Sequence, residues 1–582
     1  MNAKRLTSLL LILAMLLALA ACGNGSNSTP EETNSVSSGD TSAEPIASEP
    51  QYGGDLVVYF QEFYNEYDPS MADIDNYALW YEPLFGIDWS RDDTGEIYTT
   101  GYMTMEYMTG QIAESYTFED GVLTVQIRDD VYFQDKEPYN GRQLVAEDVK
   151  WSYDRLLGIG SGYDTPYECT TDWVGTLYML DSIETDGDFT VIFHFNTSSE
   201  LALDAFITSQ VMIGGHEWDE LTDEQKSDWH YAAGTGPYIL TEYEPDNYMK
   251  LTRNENYYDY DERYPENQLP YLDSITLQLV SDSTTAQTQF MSGNLDIIAW
   301  GGNVLTSTEA ELLQETMNPE DYVMYTYVGS PTGIALKQTH EALSDVRVRT
   351  ALQMAVNSEE IYHDYFDYDT DDLNICGAWA LETLYSSVDE WDQELYDSYT
   401  VYDPEGAKEL LAEAGYPDGF SFDVVIFEAL DADLFTLTAS YLSQIGVTMN
   451  VSVATSPLEM QQQGKDLTNE ISIFGSGGAT NIAGIARYYT IDGSENSTGY
   501  NDPEFEAMLD SFNACETLDE AIEIGKQIDE YWAEQHLCLY MGGAELFNCF
   551  ISGRIQGYSG ERLWKNWNST QILARIWVDD AN

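Results

Sequence analysis

The chain has 582 residues, 102 Asp+Glu against 23 Lys+Arg, and a formal net charge of −79. Its length allows about three to five structural units with ample core, and so few cations exclude a groove that tracks a nucleic-acid backbone. Hydrophobic residues make up 43% and aromatic residues 13%, including 43 Tyr and 13 Trp, so the acidic chain has the apolar content to fold.

At the start, Lys4 and Arg5 precede an apolar run from Leu9 to Ala21, shorter than the roughly 20 residues of a bilayer span. That is the pattern of a signal peptide over 1–21. Leu19, Ala20, Ala21 and Cys22 resemble a bacterial lipobox, which implies cleavage before Cys22 and a diacylglycerol and palmitate anchor on it. Residues 22–50 are polar and acidic and read as a disordered tether. The charge predicts stabilisation by salt, which shortens repulsion between carboxylates; an acidic proteome or saline habitat accounts for it ahead of attraction of cationic solutes.

In the mature chain Gly53-Gly54 leads into a strand, DLVVYF, and ALWYEPLFGID at 78–88 is apolar enough for burial. Alternation around Asp120-Gly121 predicts a β-hairpin within 114–134, and a second pair of strands turns near Asp186-Gly187. Between them, 146–158 has helical spacing with Val149, Tyr153 and Leu156 on one face. Strands follow within 229–258 and at 271–280, and 284–300 reads as helix, turn and strand ending at Trp300.

Beyond these, 344–366 carries a helical apolar face, with Arg347 and Arg349 expected to point elsewhere or to pair with carboxylates. Asp403-Pro404 starts a helix that ends at Gly415 before a strand, and 434–454 repeats helix then strand, so α/β units recur. The segment from Arg554 to Trp577 returns to the first lobe.

Cys169, Cys376, Cys515, Cys538 and Cys549 remain after Cys22, an odd set, and CLYMGGAELFNC allows a hairpin with a Cys538–Cys549 disulfide. No Cys/His spacing argues for a metal, and the six histidines are scattered. His194, alternating with apolar residues, reads as a satisfied, partly buried imidazole; His216 and His230 read as surface residues.

The stretches QIAESYTFEDGVLTVQIRDDVYFQDKEPYNGRQLVAEDVKWSYDRL at 111–156, GTGPY at 234–238, RNENYY at 253–258, LPYLDSITLQL at 269–279, MSGNLDI at 291–297, SDVRVRTALQMAVN at 344–357 and YDPEGAKELLAEAGYPDGF at 402–420 occur in that order. Together they resemble the solute-binding proteins of ABC importers in the oligopeptide, dipeptide and nickel group, family 5. The resemblance implies an α/β, periplasmic-binding-protein-like fold (type II, cluster C). Two α/β lobes, 51–95 with 210–328 and 546–582, and 329–545, would close on a ligand, with a small α+β domain, 96–209, inserted in the first. It also implies capture without chemistry, delivery to ABC permease subunits, a monomer, and lipid anchoring on the outer face of a Gram-positive cell membrane.

Relatives that take peptides commonly place an acidic residue and a tryptophan after a second-lobe strand; in the corresponding 470–490 here Gly475 onward replaces them, and no Asp or Glu lies between Glu470 and Asp492. The candidate ligand contacts are therefore Gly475, Ser476, Gly477 and Gly478, as backbone donors or as space, and Phe63, Tyr64, Trp300, Trp379 and Tyr488, as aromatic walls. A small peptide leads as ligand, followed by an oligosaccharide and then a cationic or metal-chelate solute. No catalytic residue and no cofactor is expected: there is no GxSxG elbow, and carboxylate pairs carry no information in so acidic a chain. A secreted glycan-processing hydrolase and an adhesion lipoprotein are the readings from other classes.

Overall fold

A computed structural model describes residues 49–60, 63, 67–70, 79–88, 105–167, 175–208, 211–280, 282–298, 305, 307–366, 384, 391–427, 432–476, 482, 496–558, 560 and 571–579. Strand Asp55–Phe60 buries four of its six side chains and runs parallel to Ser274–Leu279, with Val58 opposite Ile297 on its other edge. Such continuous apolar runs suit a sheet covered on both faces.

That strand belongs to a sheet of ten. From one edge the order is Thr448–Ala454, Ser421–Phe427, Ser472–Ser476, Tyr322–Ala335, Cys538–Ser552, Ile297–Ile298, Asp55–Phe60, Ser274–Leu279, Tyr248–Arg253 and Tyr238–Glu244. Helices Val346–Met354, Pro404–Glu413 and Ala432–Gln444 cover its first end; Val348, Leu352, Ala407, Leu411 and Leu442 pack there with Val424 and Ile426. The Asp403 carboxylate caps its helix by accepting from Gly406 N–H at 2.9 Å, with Pro404 in the first turn. No helix among the described residues is long and apolar enough to cross a membrane.

A separate four-stranded sheet, in the order Ala113–Glu119, Val122–Ile127, Thr190–Phe195 and Leu180–Thr185, carries helix Ala146–Leu157 on one face. Leu123, Val125, Val191 and Phe193 are buried at alternate positions and meet Val149, Tyr153 and Leu156 of the helix. Asp120 and Gly121 both take positive φ, 51° and 78°, as a two-residue hairpin turn with native strand twist requires.

The C-terminal segment packs back onto the sheet's other end. Arg554 forms a bidentate pair with Asp296 at 2.7 and 2.8 Å, and Trp577 meets Tyr271 edge-to-face.

Three expectations are corrected. Cys538 and Cys549 are the first and twelfth residues of one continuous strand, so about 3.3 Å per residue holds them roughly 35 Å apart and no hairpin or disulfide joins them. Arg349 does not face outward: it is buried and donates to the carbonyls of Gln535 and Leu343 and to Gln338 Oε1, while Arg347 does pair with Asp345. His194 is half-buried as expected, but its Nε2 makes no hydrogen bond.

Candidate functional site

Two long strands carry the chain from one end of the ten-stranded sheet to the other. Tyr322–Ala335 and Cys538–Ser552 pair antiparallel from Tyr322↔Ser552 to Val328↔Leu546; the register then shifts at Pro331↔Ala544 and again before Gly333↔Tyr540. On one side of the shifts the neighbour is Ile297–Ile298, and on the other it is Ser472–Ser476. Register shifts bend and twist a ladder locally. Nearby, Thr326 Oγ1 donates to Asn548 Oδ1 at 2.9 Å and ties the two strands together on the first-lobe side.

Of the sequence-derived ligand candidates, Gly475 and Ser476 end the second-lobe strand opposite Gly333 and Thr332, directly beside the register shift. Their backbone is thus paired on one side with a crossing strand. Phe63 lies at the other lobe, stacked on Phe60 with ring centroids 5.9 Å apart and edge-on to Tyr243. Tyr64, Trp300, Trp379, Gly477, Gly478 and Tyr488, and the lipidation candidate Cys22, lie outside the described residues.

Sequence reasoning missed a contact between residues 199–201 and the helix pair around Cys515. Ser199 Oγ donates to the Cys515 carbonyl at 2.5 Å, and Glu200 N–H to the Glu516 carbonyl at 2.9 Å. Leu201 adds its side chain to a cluster containing Phe505, Leu509, Phe512 and Leu518. Cys515 and Glu516 form the turn between helices Pro503–Asn513 and Leu518–Glu534. The local signal is the SSE tripeptide at 198–200, a helix N-cap pattern, but its partner is more than 300 positions away and has no signature of its own.

The family motifs converge elsewhere, on Glu82. This fully buried carboxylate accepts from Tyr257 OH at 2.6 Å, Thr235 Oγ1 at 2.7 Å, Gln111 Nε2 at 2.9 Å and Tyr258 OH at 3.1 Å. Burial pushes its pKa up against the opposing pull of these donors. GTGPY and RNENYY are therefore scaffold that docks the inserted domain. A second junction joins Arg155 to Asp68 at 2.6 and 2.7 Å; burial opposes the Asp68 charge, yet Arg155 outweighs it and holds the carboxyl below its ordinary value.

Asp148 supports the start of helix Ala146–Leu157, accepting from Val145 N–H at 3.0 Å. Asp148, His216 and Glu217 also bring possible ligand atoms within 4.8 Å of one another. Arg142 already sits there, donating to Asp148 and Glu217 at 2.7 Å, so the local positive charge is a guanidinium and the cluster does not fit a metal.

The profile of the bacterial extracellular solute-binding proteins, family 5 Middle, matches residues 108–498. Heme-binding protein A of Haemophilus influenzae is 24% identical over 90% of this chain and 91% of its own length. Oligopeptide-binding protein AppA of Bacillus subtilis is 25% identical over 72% of this chain and 67% of its own. Among solved structures, the periplasmic binding protein DppA of Helicobacter pylori, in complex with the peptide STSA, superposes with a TM-score of 0.67 at 19% identity, covering 91% of this chain and 98% of that one. The chain belongs to the bacterial extracellular solute-binding proteins of family 5, with their α/β periplasmic-binding-protein fold.

Proposed function

We propose that this protein captures a small peptide between its two lobes and hands it, unaltered, to the permease of an ABC importer. The observation that carries this reading is the pair of crossing strands, which break register between the sheet's two ends in a chain of a solute-binding family. Closure about such a hinge is how two-lobed binding proteins enclose ligand. The peptide class draws on the relatives: AppA is named for oligopeptides, and the DppA structure holds STSA.

Because residues 471–491 contain no carboxylate, the peptide's amine is met elsewhere or the ligand is bound mainly through its backbone and side chains. Gly475, Ser476 and Phe63 face this role from the two lobes, together with the candidates outside the described residues. We assign the lobes as 51–95, 210–328 and 546–582 against 329–545, with 96–209 inserted; both changes of lobe then fall inside the crossing strands. The lipobox supports anchoring through Cys22 on the outer face of a Gram-positive membrane, with the protein acting as a monomer and without catalysis.

The test is to purify the full chain from its native membrane under mild conditions, denature it, and identify what is released by mass spectrometry. An intact peptide at about one per protein is expected. Recovery of an oligosaccharide or haem in its place overturns the peptide assignment, and conversion of added peptide to fragments overturns the non-catalytic one.

A further inference from the structure

We propose that a recess at the junction of the inserted domain with the first lobe is a second binding site, for a short neutral saccharide. The recess has a volume of about 720 Å³, within the range of small-molecule sites. It is formed by the loop 130–141 and by residues 254–268, none of which belongs to the crossing strands or to Ser472–Ser476. It is thus distinct from the place where the lobes meet.

Its floor is fixed. Gln134 Nε2 donates to the carbonyls of Gly236 and Tyr238 at 3.1 and 2.8 Å, and Asn254 Nδ2 to Gly236 at 3.1 Å. Tyr257 and Tyr258 are pinned by their hydroxyls to Glu82. A floor ordered before binding leaves little conformational entropy to be lost when a ligand arrives.

The rim supplies the chemistry. Tyr132 and Tyr260 expose 46% and 50% of their surface. Asp135, Asn140, Glu255 and Asn256 stand exposed beside them. Among the described lining residues none is Lys or Arg, which disfavours phosphate, nucleotide or acidic peptide. Asp130 is already paired with Arg128.

A purely cationic ligand would need carboxylates and aromatic faces only. The amides of Asn140 and Asn256 both donate and accept, as do sugar hydroxyls, and a tyrosine face suits the apolar C–H face of a pyranose. Tyrosine, amide and carboxylate together, with no cation, are the complement of a neutral polyol.

The test uses isothermal titration of the full chain with maltotriose, cellotriose, xylotriose and chitotriose, with spermine as the cationic comparison. At least one trisaccharide is expected to bind saturably in the millimolar range or tighter. Tyr132→Ala/Tyr260→Ala, whose rings are exposed, should weaken it about tenfold or more, with an unchanged unfolding midpoint and unchanged retention of the co-purified ligand. If that variant unfolds, Asn140→Ala/Asn256→Ala serves in its place with the same expectation. No saturable trisaccharide binding up to about 10 mM, binding of spermine alone, or binding unaffected by the variants overturns the proposal. Because the retained ligand is read separately, failure of this site leaves the peptide assignment intact.

Discussion

The Ser199 hydroxyl is bonded to the carbonyl of Cys515 at 2.5 Å, across 316 positions of sequence. With the Glu200 amide on the Glu516 carbonyl at 2.9 Å, it joins the inserted domain to the turn between two second-lobe helices. If opening the lobes separates these segments, the bonds favour the closed form by about 1 kcal/mol each.

Ser199→Ala removes the side-chain bond and leaves a buried carbonyl unsatisfied only when the lobes are shut. Bound peptide should dissociate about five- to tenfold faster, following from about 1–1.4 kcal/mol lost from the closed state. Stopped-flow release of the co-purified ligand checks this. An unchanged rate rules out a role for this contact in holding the lobes closed.

Glu82→Ala orphans four donors, two of them tyrosine hydroxyls, in a site with no exposure. The expected loss is about 3–5 kcal/mol of stability, from the unsatisfied groups and the cavity together. Urea denaturation of wild type and variant reads the difference.

His536 gives the chain an acid-sensitive point. Burial, reinforced by the Arg349 charge, lowers its pKa from 6.5 to about 3, and its ring stacks on Tyr399. Below pH 6.5 the unfolded chain takes up a proton that the folded chain refuses until about pH 3, so stability falls with decreasing pH across that window. His536→Asn removes the titrating ring and tolerates the positive φ of 46°. Between pH 7.5 and 5, wild type should lose about 2 kcal/mol relative to the variant, from roughly 1.4 kcal/mol per pH unit below 6.5, measured by denaturant titration at both pH values.

Cys538 and Cys549 should both be recovered as thiols. Burial raises each to about 12, which makes them unreactive in the folded protein, and the strand keeps them apart. Alkylation after denaturation without reductant should label both, with no peptide cross-linked between 538 and 549.

Local signals made much of the fold legible. Asp120-Gly121, Asp403-Pro404 and the alternation in TVIFHF each act within a few residues, and the hairpin, the helix start and the half-buried strand follow them. The crossing strands escaped because Gly329 and Pro331 interrupt one run and Gly542-Gly543 the other, so each reads as broken or turned. They are held extended by pairing with each other across some 200 residues of sequence. Arg349 escaped for a related reason: its burial is compensated by two carbonyls and an amide oxygen brought in by other elements. At the candidate site the sequence marked Phe63, Gly475 and Ser476, which lie on the two lobes, but not Ser199, whose importance rests on its distant partner.

Peptide is expected to draw the lobes together about the register break in the crossing strands. Small-angle X-ray scattering of the full chain, stripped of ligand and then saturated with the recovered peptide, tests it most directly. A smaller radius of gyration is expected with peptide, and a smaller change in Ser199→Ala at the same subsaturating concentration. Identical scattering with and without peptide, at concentrations where binding is complete, would contradict it.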